Sequence, residues 1–105
     1  MKFVYITCYV SMLEPLTLLL EELGCANYQV VEQVTARSQW GEPRQNNAVW
    51  PGYNSSIFIQ ESDLSKVNNL MEKIEEMNSR AFNNGELIVA FTLNVDNYIH
   101  IKPVD

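Results

Sequence analysis

Two kinds of hydrophobic pattern divide the chain into predicted elements. Alternating or continuous apolar residues predict four strands, at 2–10, 28–37, 56–60 and 86–95. Both faces of the first strand are largely apolar, which argues against a sheet face that is fully solvated. A short further strand is expected at 98–102.

Between these strands, apolar residues recur at helical spacing in two segments. In the first segment, Ser11 and Glu14 fit a capping box, and the alternative is a start one turn later at Pro15. Gly24 stands where a left-handed C-cap is expected. The second helix is predicted to begin after Ser62 or Asp63. The apolar stripes that define the two helices are Leu16, Leu19, Leu20 and Leu23, and then Val67, Leu70, Met71, Ile74 and Met77.

The predicted order of elements is β-α-β-β-α-β, which is the order of a ferredoxin-like α+β fold. In this fold an antiparallel sheet carries two helices on one face and leaves the other face bare. The predicted registers place on the bare face Phe3, Tyr5, Tyr9, Val31, Phe58 and Ile88. This is more apolar surface than a soluble monomer usually exposes, so we expect oligomerisation through the sheet. The length suits one domain, 1–105.

Composition and charge narrow the classes of function. A net charge of -6 argues against nucleic acid or an anionic membrane as partner, because both attract clustered Lys and Arg. No apolar stretch approaches the roughly 20 residues of a membrane helix. The start also lacks the apolar run of a signal peptide, so we expect a cytoplasmic protein. Cys8 and Cys25 lack the spacing of a metal or redox site. Whether the protein uses a cofactor is left open by the sequence.

The long loop 38–54, between the second and third strands, is the strongest candidate site. It holds both tryptophans of the chain, and tryptophan is enriched at binding hot spots. The ligand-binding candidates are Trp40, Arg44, Trp50 and Asn54. Arg44 can pair with a carboxylate or phosphate. The alternative is that both tryptophans pack against a neighbouring subunit and that the asparagines only form turns.

Catalytic chemistry finds less support, and no catalytic or metal-binding residue is predicted. His100 is the only histidine, so one chain cannot build a metal site from several histidines. A rival hypothesis is a small dimeric α+β-barrel enzyme, of oxygenase or isomerase type, because it shares the topology. Its pocket in the sheet cleft would be lined by Tyr5, Tyr9, Phe58 and His100. A third hypothesis is an amino-acid-binding module or a structural assembly protein.

The chain resembles the PII superfamily, which comprises trimeric nitrogen-regulatory proteins and their PII-like relatives. The resemblance covers most of the chain and rests on KFVYITCYV, EELGC, YQVVEQVTARS and ESDLSKVNNLMEKI. The loop text GEPRQNNAVWPGYNSS is similar to that of a PII-like subgroup. The divalent-cation tolerance proteins share the same trimeric architecture and resemble this chain about as loosely. The resemblance implies a homotrimer with a regulatory or ligand-sensing loop at the subunit clefts, acting without bond chemistry.

Two segments depart from the nucleotide-binding members of that superfamily. Those proteins carry a basic, glycine-rich segment after the second helix, where this chain reads SRAFNNGEL with Arg80 alone. They also hold phosphates with a basic C-terminal segment, where this chain reads IHIKPVD. With these departures the resemblance does not support ATP, ADP or 2-oxoglutarate as ligand. Our first hypothesis is instead that the loop residues bind a small anion or a partner protein.

Overall fold

The computed structural model describes residues 1–39, 43–45, 47, 52–99 and 102–104. Within them the chain forms, in order, β1 (Lys2–Tyr9), α1 (Leu13–Leu23), β2 (Tyr28–Val34), β3 (Asn54–Glu61), α2 (Leu64–Ser79) and β4 (Val89–Asn94). Short 3-10 helices lie at Val10–Met12 and Asn84–Glu86. The predicted ferredoxin-like α+β fold is confirmed.

The four strands form one sheet in the order β2-β3-β1-β4, and every neighbouring pair is antiparallel. β1 and β3 are central, whereas β2 and β4 are the edges. Tyr5 of β1 lies opposite Phe58 of β3 on one side and opposite Phe91 of β4 on the other. Because residues opposite each other share a sheet face, this register places all three aromatic rings on the same side.

The helices cover the other face of the sheet and form the core with it. Burial along β1 alternates as a result: Val4, Ile6 and Cys8 are buried under the helices, and the residues between them lie on the other face. The core residues are Val4, Ile6, Cys8, Leu16, Leu19, Leu20, Cys25, Ile57, Ile59, Val67, Leu70, Ile74 and Ile88. Each large aliphatic side chain buried there contributes about 1.5–3 kcal/mol.

The bare face is apolar, but one of its predicted members is wrong. Ile88 is only 4% exposed and belongs to the core, because its neighbour Val89 pairs with Thr7 on the bare face and successive residues of an extended chain point to opposite faces. The residues of β4 on the bare face are instead Val89, Phe91 and Leu93, exposed to 41%, 54% and 57%. Together with β1 and β3 they form an aromatic and aliphatic surface, in which Tyr5 lies 5.2 Å from Phe58 between ring centroids.

The predicted start of α1 is also wrong, whereas its predicted end is confirmed. Ser11 lies inside the 3-10 turn that precedes the helix, so the N-cap is Met12, which makes no side-chain capping bond. Gly24 ends the helix in the left-handed conformation, at φ 75°. Its carbonyl accepts a hydrogen bond from Lys66 Nζ at 2.9 Å. This bond joins the end of α1 to the first turn of α2.

The strand boundaries differ from the predictions mainly around the loop. β2 ends at Val34, where the register with β3 shifts, and Ala36 forms only an isolated bridge with Arg44. β3 is longer than predicted, so Asn54 is its first residue and not part of the loop. The predicted strand at 98–102 does not form at Tyr98 or Ile99.

The helices of the described ranges are too short to span a membrane. The longest of them, α2, has 16 residues, and it carries a charged outer face.

Of the two predicted N-caps of α2, Ser62 and Asp63, the structure uses Asp63. Its Oδ1 accepts hydrogen bonds from the Ser65 backbone N–H at 2.9 Å and from Ser65 Oγ at 2.6 Å. These bonds hold the pKa of the Asp63 carboxyl below its ordinary value. A carboxyl whose pKa is lowered by folding stabilises the fold above its ordinary pKa and loses that contribution as pH falls through the lowered value.

We therefore expect Asp63→Ala to lower the free energy of unfolding at neutral pH, and to lower it much less in acid below the folded-state pKa. Urea denaturation across that pH window measures both effects. Asp63→Asn is the matched control, because asparagine caps a helix without titrating. An equal loss from Asp63→Ala at every pH would contradict a role for the charged carboxylate.

Candidate functional site

Arg44 is the centre of the candidate site. Its backbone forms a two-way bridge with Ala36, in which each N–H donates to the other's carbonyl at 2.7 Å. The bridge fixes where the Arg44 side chain leaves the loop backbone. From there its guanidinium carbon lies 4.2 Å from the centroid of the Tyr9 ring, within the range of a cation–π contact.

The guanidinium also donates hydrogen bonds to two other elements of the fold. Arg44 Nη1 donates to Asn54 Oδ1 at 2.8 Å, and Nη2 donates to the Gly85 carbonyl at 2.5 Å. Asn54 Nδ2 in turn donates to Thr7 Oγ1 at 3.2 Å. Arg44 thus connects the loop to the ends of β1 and β3 and to the turn that precedes β4.

These residues surround a cleft of about 120 Å³ at one end of the bare sheet face. Liquid water takes about 30 Å³ per molecule, so the cleft has room for about four waters. Six of the ten lining residues have polar side chains, which bring hydroxyls, amides and two guanidinium groups to a lining that is otherwise aliphatic. The lining residues are Thr7, Ala36, Arg37, Ser38, Arg44, Asn54, Asn84, Gly85, Leu87 and Val89.

The cleft is electropositive in a protein of net charge -6. In the part of the chain that the structure describes, the ion pairs lie on α2, where Glu76 contacts both Lys73 and Arg80. Neither arginine of the cleft, Arg37 or Arg44, is paired with a described carboxylate. Burial lowers the pKa of Arg44, but an arginine keeps its charge at any physiological pH.

The thiol of Cys8 lies beneath this site on the covered face of β1. Burial raises its pKa to about 11, and the positive charge of Arg44 opposes that rise. A thiol with so high a pKa is protonated at neutral pH and is a poor nucleophile. Cys8 therefore serves as a core residue and not as a reactive group.

Two of the four predicted ligand-binding residues meet in this cleft. Arg44 and Asn54 are hydrogen-bonded to each other, whereas Trp40 and Trp50 lie outside the described residues. Sequence reasoning did not predict that Tyr9 and Gly85 contact the Arg44 guanidinium. The signal for Gly85 was weak: it is the glycine of an Asn-Asn-Gly turn, which ordinary turn chemistry explains equally well.

The residues of the rival enzyme hypothesis do not gather into one pocket. Tyr5 and Phe58 contact each other in the open aromatic surface, and Tyr9 contacts Arg44 instead. His100 lies outside the described residues. Among the described side chains, no group of three or more His, Cys, Asp or Glu is placed to hold a metal ion.

The arrangement defines a class: a ferredoxin-like α+β protein with a bare sheet face and a polar, arginine-containing cleft at the end of that face. Comparison with solved structures narrows the class. A PII-like signaling protein from Thermus thermophilus superposes with a TM-score of 0.63 at 18% identity, over 90% of this chain and 85% of that one.

Structures of CPII, a nitrogen regulatory PII-like protein from Thiomonas intermedia, agree. The form with ADP and bicarbonate bound gives a TM-score of 0.66 at 16% identity, over 91% of this chain and 88% of that one. The apo form gives 0.61 at 15% identity, over 90% and 89%. No family model and no curated protein matches the sequence. The chain thus has the fold of these PII-like proteins.

The Arg44–Asn54 contact allows a direct test of the site's geometry. We expect Arg44→Ala and Asn54→Ala to be non-additive in the free energy of unfolding, with a coupling of about 1 kcal/mol, because each change removes the same charge-assisted hydrogen bond. A double-mutant cycle by urea denaturation measures it. The control cycle pairs Asn54→Ala with Arg37→Ala, which lines the same cleft but forms no hydrogen bond with Asn54 in the described structure, and should be additive. Additivity in both cycles would mean that the contact does not form in solution.

Proposed function

We propose that this protein is a PII-like regulatory or ligand-sensing protein that binds a small anion in the Arg44 cleft. Residues 38–54 report the bound ligand, and no bond is made or broken. The observation that carries the proposal is the placement of Arg44 and Arg37 in one cleft without a described carboxylate partner. In an acidic protein two such guanidinium groups favour an anion from solution as their counter-ion.

The size of the cleft favours a ligand of a few heavy atoms. Pockets for drug-sized molecules span roughly 300–1,000 Å³, whereas this cleft has about 120 Å³. Carboxylates, bicarbonate and inorganic phosphate fit that volume. Their oxygens match the planar donor pattern of a guanidinium group.

The structural neighbours support a small anionic ligand. CPII has been crystallised with ADP, AMP and bicarbonate, and in another form with ADP, AMP and acetate. Bicarbonate and acetate belong to the size class that the present cleft accepts. Nucleotides are less well supported for this chain, because the basic segments described above are missing from its sequence.

Assembly into a homotrimer through the bare sheet face is part of the proposal. Phe91 and Leu93 are each more than half exposed on that face, beside the ring cluster of Tyr5 and Phe58. Thr7 and Val89 line both the cleft and the same face, so a neighbouring subunit on the sheet would border the ligand. The free, buried cysteines Cys8 and Cys25 fit a reducing cytoplasm.

Anion binding is tested by calorimetric titration with bicarbonate, acetate and inorganic phosphate. We expect saturable binding of at least one of them, weakened about tenfold or more by Arg44→Ala, since a hydrogen bond to a charged group contributes about 1.5–3 kcal/mol. Arg80→Ala is the matched control, because Arg80 is paired with Glu76 on α2, and it should bind like the wild type. Absence of binding by all three anions, or equal affinity in Arg44→Ala, would refute the proposed site.

Assembly is tested by the mass in solution, measured by light scattering. We expect three times the mass of one chain, and a loss of that assembly in Phe91→Asp, because a buried carboxylate is costly. Leu18→Asp is the matched control: Leu18 is 56% exposed, close to the 54% of Phe91, but lies on the helical side. A wild-type dimer would reject the trimer and favour the dimeric enzyme instead.

A further inference from the structure

Gly85 lies where a side chain would collide with the Arg44 guanidinium, although its backbone conformation does not itself require glycine. Its φ is outside the left-handed region, unlike those of Gly24 and Gly52, so the backbone there accepts any residue. A Cβ on Gly85 would instead lie 2.7 Å from Arg44 Nη2 and 3.0 Å from Asn83 Oδ1. The first distance is shorter than any real contact allows. Glycine is therefore needed to let the guanidinium reach the carbonyl of residue 85.

The hydrogen bond from Arg44 Nη2 to the Gly85 carbonyl occupies a donor that an anion would use. Within the part of the chain that the structure describes, the Arg44 guanidinium donates to the Gly85 carbonyl and to Asn54 Oδ1, and both acceptors are neutral. A carboxylate or phosphate oxygen forms a stronger bond with the same donors, because both partners are then charged. An entering anion thus competes with the Gly85 carbonyl for Nη2.

We propose that Gly85 is a positioning residue and that the Arg44–Gly85 contact is an autoinhibitory latch, which the ligand opens. This inference rests on the proposed function, since it concerns the regulation of the same cleft. In the closed state Nη2 is bound to Gly85 and the affinity for anions is low. In the open state the guanidinium turns toward the anion and Gly85 is released.

The latch also connects ligand binding to the loop. The backbone of Arg44 is held to Ala36 by the two-way bridge, so its side chain ties this part of the loop to the turn at Asn84–Glu86. Opening the latch removes that tie. The Arg44–Gly85 hydrogen bond and anion binding are thermodynamically linked. A change that weakens the hydrogen bond raises the affinity for the anion, and a bound anion weakens the hydrogen bond by the same factor.

Gly85→Ala opens the latch without a change of charge. Nη2 is the far end of a flexible side chain, so the clash with the new methyl group is relieved when the guanidinium moves away. We expect Gly85→Ala to bind the anion identified among bicarbonate, acetate and phosphate about tenfold more tightly, corresponding to the loss of one competing hydrogen bond to a charged group. Asn83→Ala is the matched control, since the Asn83 side chain makes no capping bond in this turn.

Limited trypsin digestion supplies a second measurement that needs no ligand. Trypsin cleaves after arginine, and mass spectrometry can follow cleavage between Arg37 and Ser38. We expect faster cleavage there in Gly85→Ala than in the wild type or in Asn83→Ala.

The two measurements separate the latch from the proposed function. Tighter binding together with faster cleavage supports both. Unchanged or weaker anion binding by Gly85→Ala, when the wild type does bind, overturns the latch, as does an unchanged cleavage rate. Failure of every variant to bind any of the three anions overturns the proposed function, and the cleavage rates then decide alone whether Gly85 and Arg44 tie the loop.

Discussion

The pairing of β1 with β3 on one side and with β4 on the other is the interaction on which the rest of the structure depends. It places Val4, Ile6 and Cys8 under the helices, and it holds Tyr5 between Phe58 and Phe91 on the opposite face. A slip of one residue would exchange the two faces, exposing the aliphatic core and burying tyrosines beneath the helices. Core and bare face are thus set by one register, and neither can change alone.

The same register builds the site. It brings Tyr9 opposite Asn54 at the end of the β1–β3 ladder, and it places Thr7 one step further along on the same face. These side chains give the Arg44 guanidinium a ring to stack on and an amide to bind. The cation is held by neutral groups, which orient it without cancelling its charge. Such an arrangement keeps an electropositive point in an otherwise acidic molecule.

Sequence patterns were sufficient where structure is decided locally. The helix α2 has a regular apolar stripe and an N-cap in Asp63, and both formed as predicted. Predictions failed at Ser11 and at Ile88. Ser11 lies inside a 3-10 turn and cannot cap α1, whereas Ile88 faces the core because the pairing of β4 with β1 puts its neighbour Val89 on the bare face. Neither the turn nor the pairing can be recognised from hydrophobic positions alone.

Only the residues of the site that lie in or beside the long loop could be predicted from the sequence. Arg44 and Asn54 stood out because they lie in or beside a long loop that carries notable residues. Tyr9 was predicted only for the bare face and the rival pocket, and Gly85 only for a turn, because each contacts Arg44 from far away in sequence. The Arg44–Gly85 contact, for example, spans 41 positions. Only the folded sheet brings them together, and a tyrosine in a strand or a glycine in a turn has an ordinary explanation of its own.

The bridge between Ala36 and Arg44 has an evolutionary consequence. It closes the intervening stretch of chain at its base, so the sheet depends on where that stretch begins and ends, and the cleft depends only on its first residues, Arg37 and Ser38. Doubling the length of a flexible closed loop adds only about 0.6 kcal/mol to the entropic cost of closure. Insertions and substitutions there are therefore nearly neutral for folding. A lineage can change what the segment recognises while inheriting the same scaffold intact.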